Sequence, residues 1–109
     1  MKKLIALVAA ILLAAGAAVK AAEAKENYEK HCSKCHGVEG KGDTKMGKKL
    51  EVVDYTDPKV QEKMKDEEMV KTIKEGKKDG DKVRMKPYAD ALTEPEIKAL
   101  VAYVRAFKK

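Results

Sequence analysis

The run Cys32-Ser33-Lys34-Cys35-His36-Gly37 constrains this chain more than any other feature. It holds the only two cysteines and one of the two histidines. Three chemistries use such a pair. A dithiol redox centre places C-x-x-C beside a βαβ unit, and no strand-like run precedes this one. A structural zinc ion needs four tetrahedral ligands. Beyond the thiols only His31 and His36 remain, and neighbours in one short run do not easily surround an ion. The third chemistry is covalent haem attachment, whose signature is C-x-x-C-H. On a helix, positions i, i+3 and i+4 share one face. Cys32 and Cys35 can then hold two vinyl groups of one macrocycle while the imidazole of His36 reaches its iron, an ordinary haem ligation. His31 precedes the first cysteine and is expected at the surface, pointing away from the iron.

The N-terminus reads as a targeting segment. Lys2 and Lys3 open it, residues 4–19 carry no charge, and Ala22-Glu23-Ala24 has the small-x-small pattern of a signal cleavage site. Val19-Lys20-Ala21 is a looser alternative. The uncharged stretch is short for a spanning helix, which needs roughly 20 apolar residues. The expected organisation is a signal peptide over residues 1–24, cut between 21 and 24, and one domain over 25–109. The mature protein is expected to be soluble, periplasmic and not stably inserted in a membrane. Removing Lys2, Lys3, Lys20 and Glu23 from the 24 basic and 18 acidic residues leaves a net charge of +4. A chain of 109 residues excludes a multidomain enzyme and a polytopic membrane protein. With one Phe, four Tyr and no Trp, its core needs a staple or a cofactor at its centre.

Residues 25–34 lack Pro and Gly and predict a helix running into the cysteine motif, with Tyr28 on the inward face four residues before Cys32. Gly37, Gly40 and Gly42 then open a loop. They lack the flanking strand and the G-K-[ST] ending of a phosphate loop. Residues 43–57 predict an irregular loop packed on the cofactor. Asp57-Pro58 predicts an N-cap and a short helix to about Met64. Asp66 predicts a second cap, with Met69, Val70 and Ile73 as the apolar face and Gly76 as the end. Residues 77–86 read as a polar loop. Thr93-Glu94-Pro95-Glu96 predicts a capping box, with Leu92 and Ile97 stapled across it. Ile97, Leu100, Val101 and Val104 follow helical spacing. The sum is an all-α chain of about four helices, with no sheet.

A low-spin haem needs a second strong iron ligand. Met46 follows His36 by ten residues, in a loop that must first turn away. Met64 and Met69 fall in predicted helices, and Met69 belongs to an apolar stripe. Met85 sits in a polar loop with no apolar neighbours at helical spacing, and Pro87 stiffens it. Met85 is the favoured ligand, with Met46 and Met64 as alternatives.

Taken in order, the cysteine motif, Gly47-Lys48-Lys49-Leu50, Met85-Lys86-Pro87-Tyr88 and Leu100-Val101-Ala102-Tyr103-Val104 resemble a small bacterial class I c-type cytochrome. The resemblance covers essentially the whole mature chain. It implies the cytochrome c fold, with helices wrapped around one covalent haem c. By the same resemblance Cys32 and Cys35 carry the thioethers, and His36 and Met85 are the axial ligands. Leu50 lines the pocket, and Tyr28 meets Tyr103 between the first and last helices. Two positions depart from the family pattern. Lys48 replaces a frequent Pro whose carbonyl accepts the proximal imidazole N–H, a role the Lys48 carbonyl would inherit. Lys86 separates Met85 from Pro87.

The implied function is a periplasmic one-electron carrier, not an enzyme. Its rival is a haem enzyme or gas sensor with a labile distal ligand. The expected partners are redox proteins docking at a Lys-rich rim of Lys45, Lys48 and Lys49 on one side and Lys82, Arg84 and Lys86 on the other. No nucleic-acid partner is expected, and the chain is expected to be monomeric.

Overall fold

The computed structural model describes residues 21–109, so residues 1–20 of the expected signal segment lie outside the described part. Residues 21–31 are helical (α1). There follow α2 (Ser33–His36), α3 (Lys45–Leu50), α4 (Pro58–Lys63), α5 (Asp66–Glu75), β1 (Lys77–Asp79), β2 (Lys82–Met85) and α6 (Glu94–Arg105).

The C-terminal helix forms as its sequence directs. The Thr93 hydroxyl accepts from the Glu96 N–H at 3.3 Å, and Glu96 Oε1 accepts from the Thr93 N–H at 2.8 Å. Pro95 occupies the first turn. A cap of this kind contributes about 1 kcal/mol. The stripe Ile97, Leu100, Val101 and Val104 is buried. It packs with Met69 and Ile73 of α5, Leu92 and Tyr28 into one apolar cluster. Tyr28 has no exposed surface. Its ring lies 5.1 Å from Tyr103 and 5.2 Å from Phe107, joining α1 to the end of α6 as expected.

A second joint closes the other side. Gln61 of α4 is 4% exposed. Its amide donates to the Tyr55 carbonyl at 2.7 Å and to the Val104 carbonyl at 2.9 Å. Arg105 donates to the Gln61 carbonyl at 2.6 Å, to the Met64 carbonyl and to Asp66 Oδ1. Asp57 caps α4 through the Lys59 N–H, as its sequence predicts. The cap predicted at Asp66 does not form. Lys65 is the N-cap residue of α5, and Asp66 is the helix's first residue. Its carboxylate turns to Arg105 because a charge-assisted pair is the stronger bond.

Two segments differ from the sequence reading. Residues 43–57 contain α3, not only loop. Residues 77–86 contain an antiparallel hairpin with the register Lys77↔Met85, Lys78↔Val83 and Asp79↔Lys82, irregular between Lys77 and Lys78. The all-α class stands, with this one small ribbon added. The ribbon turns at Gly80-Asp81, and Gly80 has a φ of 62°. Gly-Asp is a hairpin turn signal, but it is flanked by charged residues without strand alternation.

Candidate cofactor site

The cysteine motif is one continuous helical turn whose backbone is gripped from outside. Cys32 breaks the regularity between α1 and α2 with φ −115° and ψ −35°. Its N–H still bonds the Tyr28 carbonyl at 2.8 Å, and its carbonyl accepts from His36 at 2.9 Å and Cys35 at 3.3 Å. The i, i+3, i+4 arrangement required of Cys32, Cys35 and His36 is thereby kept. The carbonyls of Cys35, His36 and Gly37 are claimed by other segments. Thr44 donates to Cys35 O at 2.8 Å, the Gly42 N–H donates to His36 O at 2.8 Å, and Tyr28 Oη donates to Gly37 O at 2.7 Å.

The Thr44 hydroxyl serves twice. It also accepts from the Gly47 N–H at 2.9 Å, capping α3. Gly47 packs so closely that a Cβ there would collide with the Cys35 carbonyl. Sequence reading missed both Thr44 and Gly47 as supports of the motif. The Thr44-x-x-Gly47 spacing was the available signal, since Thr three residues before a helical N–H is a capping pattern.

Cys32 and Cys35 are both free thiols and half-buried. Burial and the neighbouring Cys35 push the Cys32 thiol up to about 11. Burial pushes His36 down to about 4. Removal from water disfavours the imidazolium, so at neutral pH His36 is an uncharged Lewis base. Its ring stacks on Tyr55 with centroids 4.9 Å apart and planes 24° apart. Its Nδ1 is buried and has no hydrogen-bond partner. The Lys48 carbonyl, the acceptor that the family pattern left open, does not receive His36. That carbonyl accepts the Glu51 N–H at 3.3 Å instead, at the close of α3.

These residues fit a covalently held haem. Two half-buried free thiols stand one helical turn apart, and the adjoining half-buried imidazole carries a buried nitrogen that no described residue satisfies. A buried polar atom in that state is costly without a partner. The zinc reading finds no support, because among the described residues no three His, Cys, Asp or Glu side chains gather as a metal site.

The remaining predicted residues are placed as follows. Met85 ends β2 half-buried, and it packs against the apolar cluster together with Cys32, Met64, Tyr55 and Tyr88. Met69 is a buried core residue, as its stripe implied. Met46 is half-buried on α3, outside that cluster. Leu50 is half-buried at the end of α3. His31 is not the free surface residue expected. It is half-buried, its ring lies 5.3 Å from Tyr88, and its carbonyl accepts from Tyr88 Oη at 3.0 Å. Lys45, Lys48, Lys49, Lys82 and Lys86 are exposed, as a basic rim requires. Arg84 is the exception, because its guanidinium turns inward to the Leu50 carbonyl at 3.1 Å.

No curated protein is a significant match to the chain. Among solved structures, the chain is similar to the KustC0563 c-type cytochrome. The identity is 39% and the TM-score 0.70, over 78% of this chain and 96% of that one. A tyrosine-to-phenylalanine mutant of Kustc0563 matches at 36% identity and a TM-score of 0.69, over 79% and 99% of the two chains. Residues 19–104 match the family described as cytochrome C oxidase, cbb3-type, subunit III. With the C-x-x-C-H turn built as a haem anchor, the chain thus belongs to that family of domains and is a small c-type cytochrome.

Proposed function

We propose that this cytochrome is an exported, monomeric one-electron carrier. In this reading Cys32 and Cys35 would hold one haem c through thioethers, and His36 and Met85 would be its iron ligands. The observation that carries it is a half-buried His36, its buried Nδ1 unpartnered among the described residues, beside two free thiols, with Met85 packed on the same apolar cluster as Cys32. When bound, the haem supplies Fe(II)/Fe(III) cycling, at a potential that His/Met ligation raises. The chain does the rest. The Thr44, Gly42 and Tyr28 hydrogen bonds hold the motif's backbone rigid, so the protein reorganises little when the charge changes. Two protein ligands leave no open coordination position for a substrate, which favours a carrier over the rival enzyme or sensor. The uncharged opening and the Ala22-Glu23-Ala24 pattern support export to the periplasm.

A redox titration of the purified holoprotein tests the reading. The expected result is a single reversible one-electron wave, with a Met-to-iron charge-transfer band in the oxidised form. Rapid carbon monoxide binding by the reduced protein, with no such band, would establish the enzyme or sensor reading instead.

The exposed lysines of α3 and β2 form the proposed docking face, for an acidic redox protein. Electron exchange with such a partner is expected to slow as salt is raised from about 10 mM to 150 mM, since screening shortens the Debye length from roughly 30 Å to 8 Å. Rates indifferent to ionic strength would mean that these lysines only solvate the surface.

A further inference from the structure

Arg84 immediately precedes Met85 in β2, yet its guanidinium reaches out of the hairpin. Nη1 donates to the carbonyl of Leu50, the last residue of α3, at 3.1 Å. Nη2 donates to Asp79 Oδ2 at 3.3 Å, and Glu51 Oε2 lies 3.9 Å from Nη1. The Leu50 carbonyl belongs to the last turn of a helix, where carbonyls lack intrahelical donors and a cation is favoured. The Arg84 side chain is 23% exposed, whereas Glu51 and Asp79 are 80% and 73% exposed. The arginine is thus a tie between two elements and not a free surface charge.

Met85 is held from its other side by backbone alone. The Tyr88 N–H bonds the Ile73 carbonyl at 2.9 Å, and the Ala89 N–H bonds the Lys74 carbonyl at 3.2 Å. Gly76, with a φ of 75°, lies so near that a Cβ there would be 2.5 Å from the Met85 carbonyl oxygen. The segment after Met85 is therefore fixed to the end of α5. Among the described residues, the segment before it makes no comparable backbone hydrogen bond to another element. β1 and residues 82 and 83 of β2 are exposed, and the ladder is irregular next to the Lys77–Met85 pair. A two-stranded ribbon alone is marginally stable in water. The side chain of Arg84 supplies the missing attachment.

We infer that Arg84 is a positioning residue for the distal ligand. It fastens the hairpin that ends in Met85 to the C-terminus of α3, and so sets how often the Met85 sulfur leaves the iron. The inference rests on the assignment of Met85 as ligand made above. Losing one charge-assisted hydrogen bond corresponds to about a tenfold change in an opening equilibrium.

The test compares holoproteins carrying Arg84→Ala, Arg84→Lys, Met85→Ala and Arg105→Ala. The readouts are the charge-transfer band, the midpoint potential, the rate of carbon monoxide binding to the reduced form and the melting temperature. Arg84→Ala is expected to bind carbon monoxide about tenfold faster than the parent, with a weaker band and a lower potential. Arg84→Lys keeps one donor for the Leu50 carbonyl and should fall between the two. Arg105→Ala cuts the α4–α6 joint, so its melting temperature should drop while its carbon monoxide rate stays at the parent value. If Arg84→Ala does not accumulate, Arg84→Lys decides the question through its rate alone. Parent-like rates and potential in the Arg84 variants, with both altered in Met85→Ala, would overturn the positioning role and leave the ligand assignment standing. A charge-transfer band surviving in Met85→Ala would overturn both. Equal acceleration in Arg105→Ala and Arg84→Ala would mean general loosening and also overturn the positioning role.

Discussion

Met85→Ala is expected to abolish the charge-transfer band, to open the iron to carbon monoxide and to lower the midpoint potential on the order of 150 mV. The size follows from ligand preference. A thioether is a soft ligand and favours Fe(II), whereas water or hydroxide favours Fe(III). For one electron, each tenfold change in that preference is worth about 59 mV, so losing between two and three decades gives the stated fall. Little else in the protein should change. Met85 is half-buried at the end of a short strand, and its backbone remains tied through Tyr88, Ala89 and the close approach of Gly76. The measurement belongs near neutral pH, because Lys82 and Lys86 flank the position and an amine that loses its proton at high pH becomes a competing ligand. Met64→Ala is the informative control, since Met64 packs against the same apolar cluster. A band lost there and kept in Met85→Ala would move the ligand to α4.

What the sequence revealed, and what it hid, divides along the range of the interactions involved. The helical turn through Cys32, Cys35 and His36, α6 with its capping box, the Asp57-Pro58 start of α4 and the Met69–Ile73 face of α5 were all legible. Each is specified within about one or two helical turns of chain. The stacking of Tyr28 on Tyr103 followed from the family resemblance and from the inward spacing of Tyr28. Three features were hidden because distant partners set them. α3 is only six residues long and has a Gly at its third position, so on its own it is a weak helix despite its Lys, Met and Leu. It forms where Thr44 bridges its first turn to the Cys35 carbonyl and Gly47 lets the two backbones meet. The hairpin over residues 77–85 had its Gly80-Asp81 turn in plain view, but its strands are mostly polar and solvent-facing. It is held by a bond from Arg84 to a carbonyl 34 residues away. The acceptor of the His36 imidazole N–H was left open by the sequence for a related reason. Backbone carbonyls are chosen by local geometry, and the Lys48 carbonyl closes α3 instead. Arg84 itself looked like one more cation of a basic rim. Only its neighbours across the fold show that it faces inward.

Replacing both Cys32 and Cys35 with Ala should cost the protein most of its folded structure. The two thiols contribute little by their own packing, about 1 kcal/mol each for a half-buried group of that size. The large effect comes from what they retain. The apolar cluster consists of Tyr28, Leu92 and short runs from α5 and α6, with no Trp and no sheet behind it. A domain of under a hundred residues with so small a core has a few kcal/mol of stability at best. A group bound only to the native state stabilises it by mass action, and covalent attachment makes that binding permanent. Without attachment, His36 is a half-buried imidazole stacked on Tyr55, whose buried Nδ1 has no partner among the described residues. Far-ultraviolet circular dichroism of the exported double variant should show most of the helical signal gone, and brief protease treatment should clear it while the holoprotein survives. Cys32→Ala alone keeps one thioether and should fall between them, with a lowered melting temperature and a retained fold. A cooperative melt of the double variant within a few degrees of the holoprotein would show that the protein core is sufficient by itself. It would also remove the argument that the haem forms the centre of this fold.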